Sequence, residues 1–222
     1  MTGGTKRTQK TPRGDARDRP RQRQEDRTDE SKRVLIETAM RILSVDGYRA
    51  ATMARIQAES GLSRGLVGYH FGSKQNLMEA VVTKIHENFV AQTAGADPAP
   101  GLDGFGEVSA LFEAYLGRLS ARPQPAKVMI VLATESMSGA TEVRQALQEA
   151  LAGLRDRFAH MLERGLEDGS VRATIDPQST GAVLQGMLRG IVLQFLVDED
   201  NFDLDGAKRA AKEALTDWIA AS

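Results

Sequence analysis

Between residues 52 and 74 the chain runs TMARIQAESGLSRGLVGYHFGSK, and this window constrains the fold more than any other. Thr52 has a short side-chain oxygen able to accept a bond from an orphan N–H two or three positions on. It therefore suits an N-cap, and Ile56 and Ala58 supply part of an inward face. A first helix is expected to start near Met53 and to stop at Gly61, where the chain must reverse with positive φ and glycine does so without a Cβ clash. Ser63 is expected to cap a second, very short helix. From Arg64 to Phe71 the large side chains Leu66, Val67, Tyr69 and Phe71 cannot all point inward, so some must face out. A short helix projecting outward after a tight turn suits the major groove of DNA.

The surrounding sequence is helical as well. Leu35, Ile36, Ala39, Met40 and Leu43 recur at three- and four-residue spacing over about 31–46 and can cover both helices of the pair. Ser73 can cap a fourth helix to about Thr93, with Leu77, Val81, Ile85 and Phe89 on one stripe. After a Gly- and Pro-rich loop at 95–104, five more helices are predicted near 105–121, 125–138, 141–168, 177–198 and 204–220. No alternating strand pattern appears. The expected fold is all-α, about nine helices. A three-helix head with the helix-turn-helix spans 31–76, and a helical ligand-binding and dimerisation domain spans 77–222.

The helix at 177–198 carries two apolar flanks, Val183, Met187 and Ile191 on one, and Leu184, Leu188, Val192 and Phe195 on the other. Either it is the central helix of one domain, or its second flank meets a partner. Small residues at Gly186 and Gly190 would admit another backbone.

Charge separates the two parts. Residues 1–94 carry 17 Lys and Arg against 11 Asp and Glu, whereas residues 95–222 carry 12 against 19. DNA is attracted to the first and repelled by the second. Residues 1–30 are so poor in apolar groups that a disordered basic arm is expected, either merely solvated or reaching into a minor groove. With no cysteine there is no disulfide or thiolate chemistry, and no run of about 18 apolar residues points to a membrane span. The Arg-rich start lacks the apolar segment of a secretory signal, so a cytoplasmic location is expected.

The run from Gly61 to Lys74, followed by Gln75-Asn76-Leu77-Met78, resembles the signature of the TetR family of bacterial transcriptional regulators. The likeness covers roughly residues 33–82, and Gln57 departs from it, standing where the family usually has alanine. The resemblance implies a sequence-specific DNA-binding regulator, with a repressor favoured over an activator. It also implies a homodimer built on the last two helices, and a small-molecule effector whose binding tilts the fourth helix. No cofactor is implied. Arg64 is the candidate for base readout, since a guanidinium can bond guanine O6 and N7 bidentately, worth ~1–3 kcal/mol of discrimination. Leu66 could touch a thymine methyl, and Gly65 and Gly68 would allow close backbone approach. Thr52, Ser63, Tyr69, His70 and Lys74 match family positions at or beside phosphate. For the dimer the candidates are Met187, Leu188, Ile191, Phe195, Leu215 and Trp218. For the effector they are Phe89, Phe112, Tyr115, Met129, Met137, Phe158 and Met161, each of which has core packing as its plainer role. The acidic surplus of this half leans toward a cationic effector.

Enzyme readings find little support. His70, His86 and His160 are not spaced as metal ligands. No GxSxG, P-loop or GxGxxG sequence occurs, and Ser136 and Ser138 near Glu135 read as the polar end of a helix. The competing reading is a helical ligand-binding or scaffolding protein with a degenerate DNA-binding head.

Overall fold

The computed structural model of the chain describes residues 18–94, 101–139 and 143–221. Among them the chain forms nine α-helices and no strand.

Helix α1 (Asp18–Ala50) begins well ahead of Ser31. The arm expected over residues 1–30 is thus helical from Asp18 onward, while residues 1–17 lie outside the described residues. Arg, Gln and Glu are good helix formers without being apolar, and Pro20 falls in the first turn, where a missing N–H is harmless. Nucleation is already supplied by the packed part of the same helix. Arg33 bridges Glu30 at 2.6 Å and Glu37 at 2.7 Å along the exposed side. Near its end, Gly47 adopts φ 81°, and the resulting kink redirects the chain into the helix-turn-helix.

That unit is α2 (Met53–Glu59) and α3 (Leu66–Phe71), followed by α4 (Lys74–Ala94). Thr52 Oγ1 accepts from the Arg55 N–H at 3.2 Å and Ser73 Oγ from the Asn76 N–H at 3.1 Å, so both expected caps form. Gly61 has the expected positive φ of 69°. Beyond the head follow α5 (Gly104–Ala121), α6 (Gln124–Ser138), α7 (Arg144–Asp168), α8 (Pro177–Val197) and α9 (Leu204–Ile219).

Apolar side chains collect into two cores. The first joins Leu35, Ile42 and Leu43 of α1 to Ile56, Val67 and Phe71 of the DNA-reading pair. It continues through Leu77, Met78, Val81 and Val82 of α4 into Val128 and Leu132 of α6. The division expected at residue 76 therefore falls inside one continuous core. The second core unites α5, α7, α8 and α9 around Phe112, Phe158, Leu162, Leu184, Leu188 and Leu215. Helices α5 and α7 touch backbone to backbone at Gly104, which lies against Gly165 and Met161.

Helix α8 divides as its pattern suggests, but not all the dimer candidates lie outside. Leu188, Phe195 and Leu215 are buried in the second core, because α5, α7 and α9 cover that flank. Met187 and Ile191 are half-buried, and Trp218 of α9 is 38% exposed. The uncovered stripe is Val183, Gly186, Leu193 and Val197, with the half-buried Gly190 completing its steps of three and four. An 18-residue window of α8 reaches a mean hydropathy of 1.4, long and apolar enough by composition to cross a membrane. The expectation of no spanning segment counted only unbroken apolar runs. Here α8 lies against α5, α7 and α9, with its inner flank in their core.

Candidate nucleic-acid interface and cavity

The recognition helix starts at Leu66, not at Ser63. Its N-cap is Gly65, in the left-handed region at φ 89°, and no side chain of the cap residue reaches back into the first turn. Ser63 and Arg64 belong to the turn before it. Ser63 and Gly65, two positions apart, could each have ended the turn, and glycine takes the position because only it enters the left-handed region without strain.

The missing cap comes from α2. Gln57 Oε1 accepts from the Val67 N–H at 3.0 Å, and its Nε2 donates to the carbonyls of Leu62 and Ser63, each at 3.0 Å. One side chain thereby holds both sides of the turn in register. It stands where the resemblance leads one to expect alanine.

The reading surface follows from this anchoring. Thr52, Ser63, Arg64, Gly65, Gly68 and Tyr69 are exposed, Tyr69 by 79%, while Leu66 is half-buried. Between them Val67 and Phe71 are buried and fasten the helix to the head. Arg64 takes part in no ion pair among the described residues. Other cations of the head are engaged. Arg55 bridges Asp46 and Glu59, both at 2.6 Å, and Arg41 joins Glu59 at 2.7 Å. Hydrogen bonds from Arg55 and then Arg41 hold the Glu59 carboxyl below its ordinary range.

Two phosphate candidates have other attachments. Lys74 Nζ donates to the Tyr48 carbonyl at 2.7 Å and sits 3.6 Å from the centre of the Tyr48 ring. It ties the kinked end of α1 to the start of α4, by a charge-assisted bond and a cation–π contact. His70 Nε2 lies 2.7 Å from Ser31 Oγ, whose hydroxyl donates to the Thr28 carbonyl at 2.9 Å. While that bond holds the Ser31 proton, the imidazole donates to Ser31 Oγ from Nε2–H. Burial and then the Lys32 charge lower the His70 pKa below 6.5.

Where the two cores meet lies a cavity of about 380 Å³, within the range of small-molecule sites. Its wall takes Met40 from α1, Ile85, His86 and Phe89 from α4, and Tyr115 and Arg118 from α5. Helices α6, α7 and α8 complete it with Met129, Leu154 and Arg189 among others. Phe89 and Tyr115 meet edge to face at 5.3 Å. Of the seven effector candidates, Phe89, Tyr115 and Met129 face this space. Phe112, Phe158 and Met161 are buried in the second core instead. Met137 is 76% exposed, because Val128, Leu132 and Ser136 define the covered side of α6 and Met137 is rotated off it in the last turn. The expected lean toward a cation also fails locally. Among the described residues, three arginines and no carboxylate line the cavity.

Residues 35–81 match the family model of bacterial regulatory proteins of the tetR family, and residues 106–220 match that of the C-terminal part of BetI-type transcriptional repressors. The chain belongs to the TetR family. TetR-family relatives agree along most of its length. The transcriptional regulator TtgR of Pseudomonas putida is 22% identical over 186 residues, covering 83% of this chain and 89% of TtgR. Among solved structures, a TetR regulator from Chloroflexus aurantiacus superposes with a TM-score of 0.77 at 18% identity, covering 89% of this chain and all of that one. A transcriptional regulator from Saccharomonospora viridis, solved in complex with choline, has a TM-score of 0.72 at 21% identity, covering 87% and 100%. This chain is accordingly a DNA-binding transcriptional regulator of TetR type.

Sequence reasoning passed over Gln57 as a functional residue, although its departure from alanine was a visible signal. It also passed over Arg118, Arg122 and Arg189, which come from the end of α5 and from α8 and share one wall only in the folded chain.

Proposed function

We propose that this TetR-family chain is a homodimeric repressor that covers an operator in double-stranded DNA and leaves it when a small molecule fills the cavity. Arg64 reads a base edge, Leu66 touches a thymine methyl, Gly65 and Gly68 allow the close approach, and Thr52, Ser63 and Tyr69 meet the phosphates. The observation that carries the reading is the double role of α4. Its first turns supply Leu77, Met78, Val81 and Val82 to the core that holds the recognition helix, and its later turns supply Ile85, His86 and Phe89 to the cavity wall. Helix α6 is shared in the same way, with Val128 and Leu132 in the head core and Met129 in the wall. A molecule in the cavity thus touches helices on which the head rests.

The stripe Val183, Gly186, Gly190, Leu193 and Val197, together with the exposed Trp218 of α9, supports a second copy as the dimer partner. Two reading heads can then meet successive major grooves, about 34–36 Å apart. Selection from random duplexes, with and without cell extract, tests the whole reading. A palindromic site lost on adding extract is expected, and Arg64→Ala should relax preference at one base position of each half-site. Equal, feeble binding to every duplex would leave instead a ligand-binding protein whose head no longer reads DNA. A monomeric mass by light scattering at micromolar concentration would remove the dimer.

A further inference from the structure

The cavity carries charge of one sign. Among the described residues, Arg118 of α5, Arg122 just past its end and Arg189 of α8 reach its wall, no Asp or Glu lines it, and none of the three is ion-paired. Arg118 is the most informative. Its Nη2 donates to the Gln92 carbonyl at 2.8 Å, whereas its Nη1 is closed off from solvent with no hydrogen-bond partner. A buried donor without an acceptor is unfavourable, and more so on a charged group. Like charge gathers around it. Burial, and then the charge of Arg118, lowers the pKa of Arg157 on α7. Burial pushes the Tyr115 hydroxyl up, and the Arg189 charge works against that rise. Guanidinium groups from the end of α5 and from α8 thus share a wall whose other members include the apolar Phe89, Met129, Ile130, Leu154 and Val192.

We infer that the cavity takes an amphipathic organic anion, a carboxylate on an alkyl or aryl body, with its acidic head on Arg118 and Arg189 and its body against Phe89, Met129 and Leu154. The inference rests on the reading of this cavity as the effector site and adds the chemical class of the effector. A carboxylate supplies the acceptor that Arg118 Nη1 lacks, and its two oxygens match the guanidinium fork. It also neutralises charge that the protein leaves unopposed. A quaternary ammonium of equal size would meet the arginines without any carboxylate to offset them.

The test uses the full-length protein and ligands that share one tail: octanoate, octanol and octyltrimethylammonium, with 4-phenylbutyrate as the aryl arm, followed by titration calorimetry. A carboxylate should bind at least about ten-fold more tightly than octanol, and the ammonium should not bind detectably. Arg118→Met should abolish the preference while octanol binding persists, and Arg189→Met serves the same purpose if the first variant does not fold. An ammonium or alcohol binding as tightly as the carboxylates, or a preference that survives the substitutions, overturns the anion assignment and leaves the cavity as an effector site. No binding by any member of the series overturns both.

Discussion

Replacing Gln57 with alanine isolates the most economical piece of stabilisation in the head. The substitution removes three hydrogen bonds at 3.0 Å, and their environments differ. The Val67 N–H and the Leu62 carbonyl are partly buried, and each such bond contributes about 1 kcal/mol net, while the exposed Ser63 carbonyl recovers a water and contributes little. Val67 also lies in the first turn of a helix whose cap residue is glycine, so losing its bond has the character of losing an N-cap, ~0.5–2 kcal/mol. These views describe the same bonds and agree on about 2 kcal/mol, or a fall in Tm of roughly 4–8 °C for a chain of this length. Urea unfolding gives the total, and amide hydrogen exchange gives its location, with Val67 the amide expected to lose most protection. Operator affinity should fall as well, since Ser63 and Arg64 lie in the turn that Gln57 fastens. Gln57→Glu separates the contributions. It keeps an acceptor for Val67 at a helix start that favours negative charge, and sets a carboxylate against two carbonyls that now lack a donor. A Gln57→Ala protein within about 0.5 kcal/mol of the parent, with Val67 exchange unchanged, would show that the turn is held by its backbone and core alone.

Three further outcomes follow from the geometry. Lys74→Met should destabilise the head by about 1–2 kcal/mol, through the lost Tyr48 carbonyl bond and ring contact. It should leave the salt dependence of DNA binding nearly unchanged; a drop of about one in that slope with unaltered stability would make Lys74 a phosphate ligand instead. For His70 the folded pKa is lowered, so the folded state binds fewer protons than the unfolded chain. Its contribution is complete above about 6.5 and declines as the pH falls toward the lowered folded value. Compared with His70→Gln, which retains a donor for Ser31, the parent should lose urea resistance between pH 7 and 5, and parallel profiles would refute this. Gly104→Ala brings a Cβ to 2.6 Å from the Met161 carbonyl and still closer to the Gly165 backbone, neither of which can rotate away. Separating α5 from α7 should cost about 1–3 kcal/mol, measured as a lower urea midpoint.

The legibility of this chain depends on the range of the interactions involved. Helix boundaries set by caps and periodicity, at Thr52, Gly61 and Ser73, are local and were readable. The Ser63 cap does not form because Ser63 and Gly65, two positions apart, compete for the turn, and backbone conformation decides in favour of Gly65. Residues 18–30 looked disordered by apolar content, yet a helix needs no core of its own when it extends one that is already packed. Leu188 and Phe195 were assigned outward because periodicity identifies two apolar flanks on α8 without saying which one the rest of the chain covers. Lys74 looked like a free cation since its partner, the Tyr48 carbonyl, belongs to the backbone, and backbone positions are invisible to residue type. The cavity was least readable of all. Its arginines gain meaning from the absence of carboxylates nearby, and that absence exists only after folding.

The charge of the cavity and the division of α4 bear on each other. A ligand shifts an equilibrium only by the difference in its affinity for the two states, so releasing DNA by a hundred-fold requires about 2.7 kcal/mol of differential binding. Apolar contact with Phe89 and Met129 can be similar in both states, because such contacts adapt over small displacements. A bidentate carboxylate–guanidinium pair is stricter, since its two parallel bonds weaken together when the fork is turned or withdrawn. Arg118 is bonded to the Gln92 carbonyl on α4, so the same guanidinium that would receive the acidic head is already attached to the helix that enters the DNA-reading core. Drawing Arg118 toward an anion changes the pull on α4 near its C-terminal end, and a helix of 21 residues converts a small displacement there into a rotation of the end that carries Leu77 and Met78. On the proposed anion site, the electrostatics that would select the ligand and the contact that would transmit its arrival reside in one side chain.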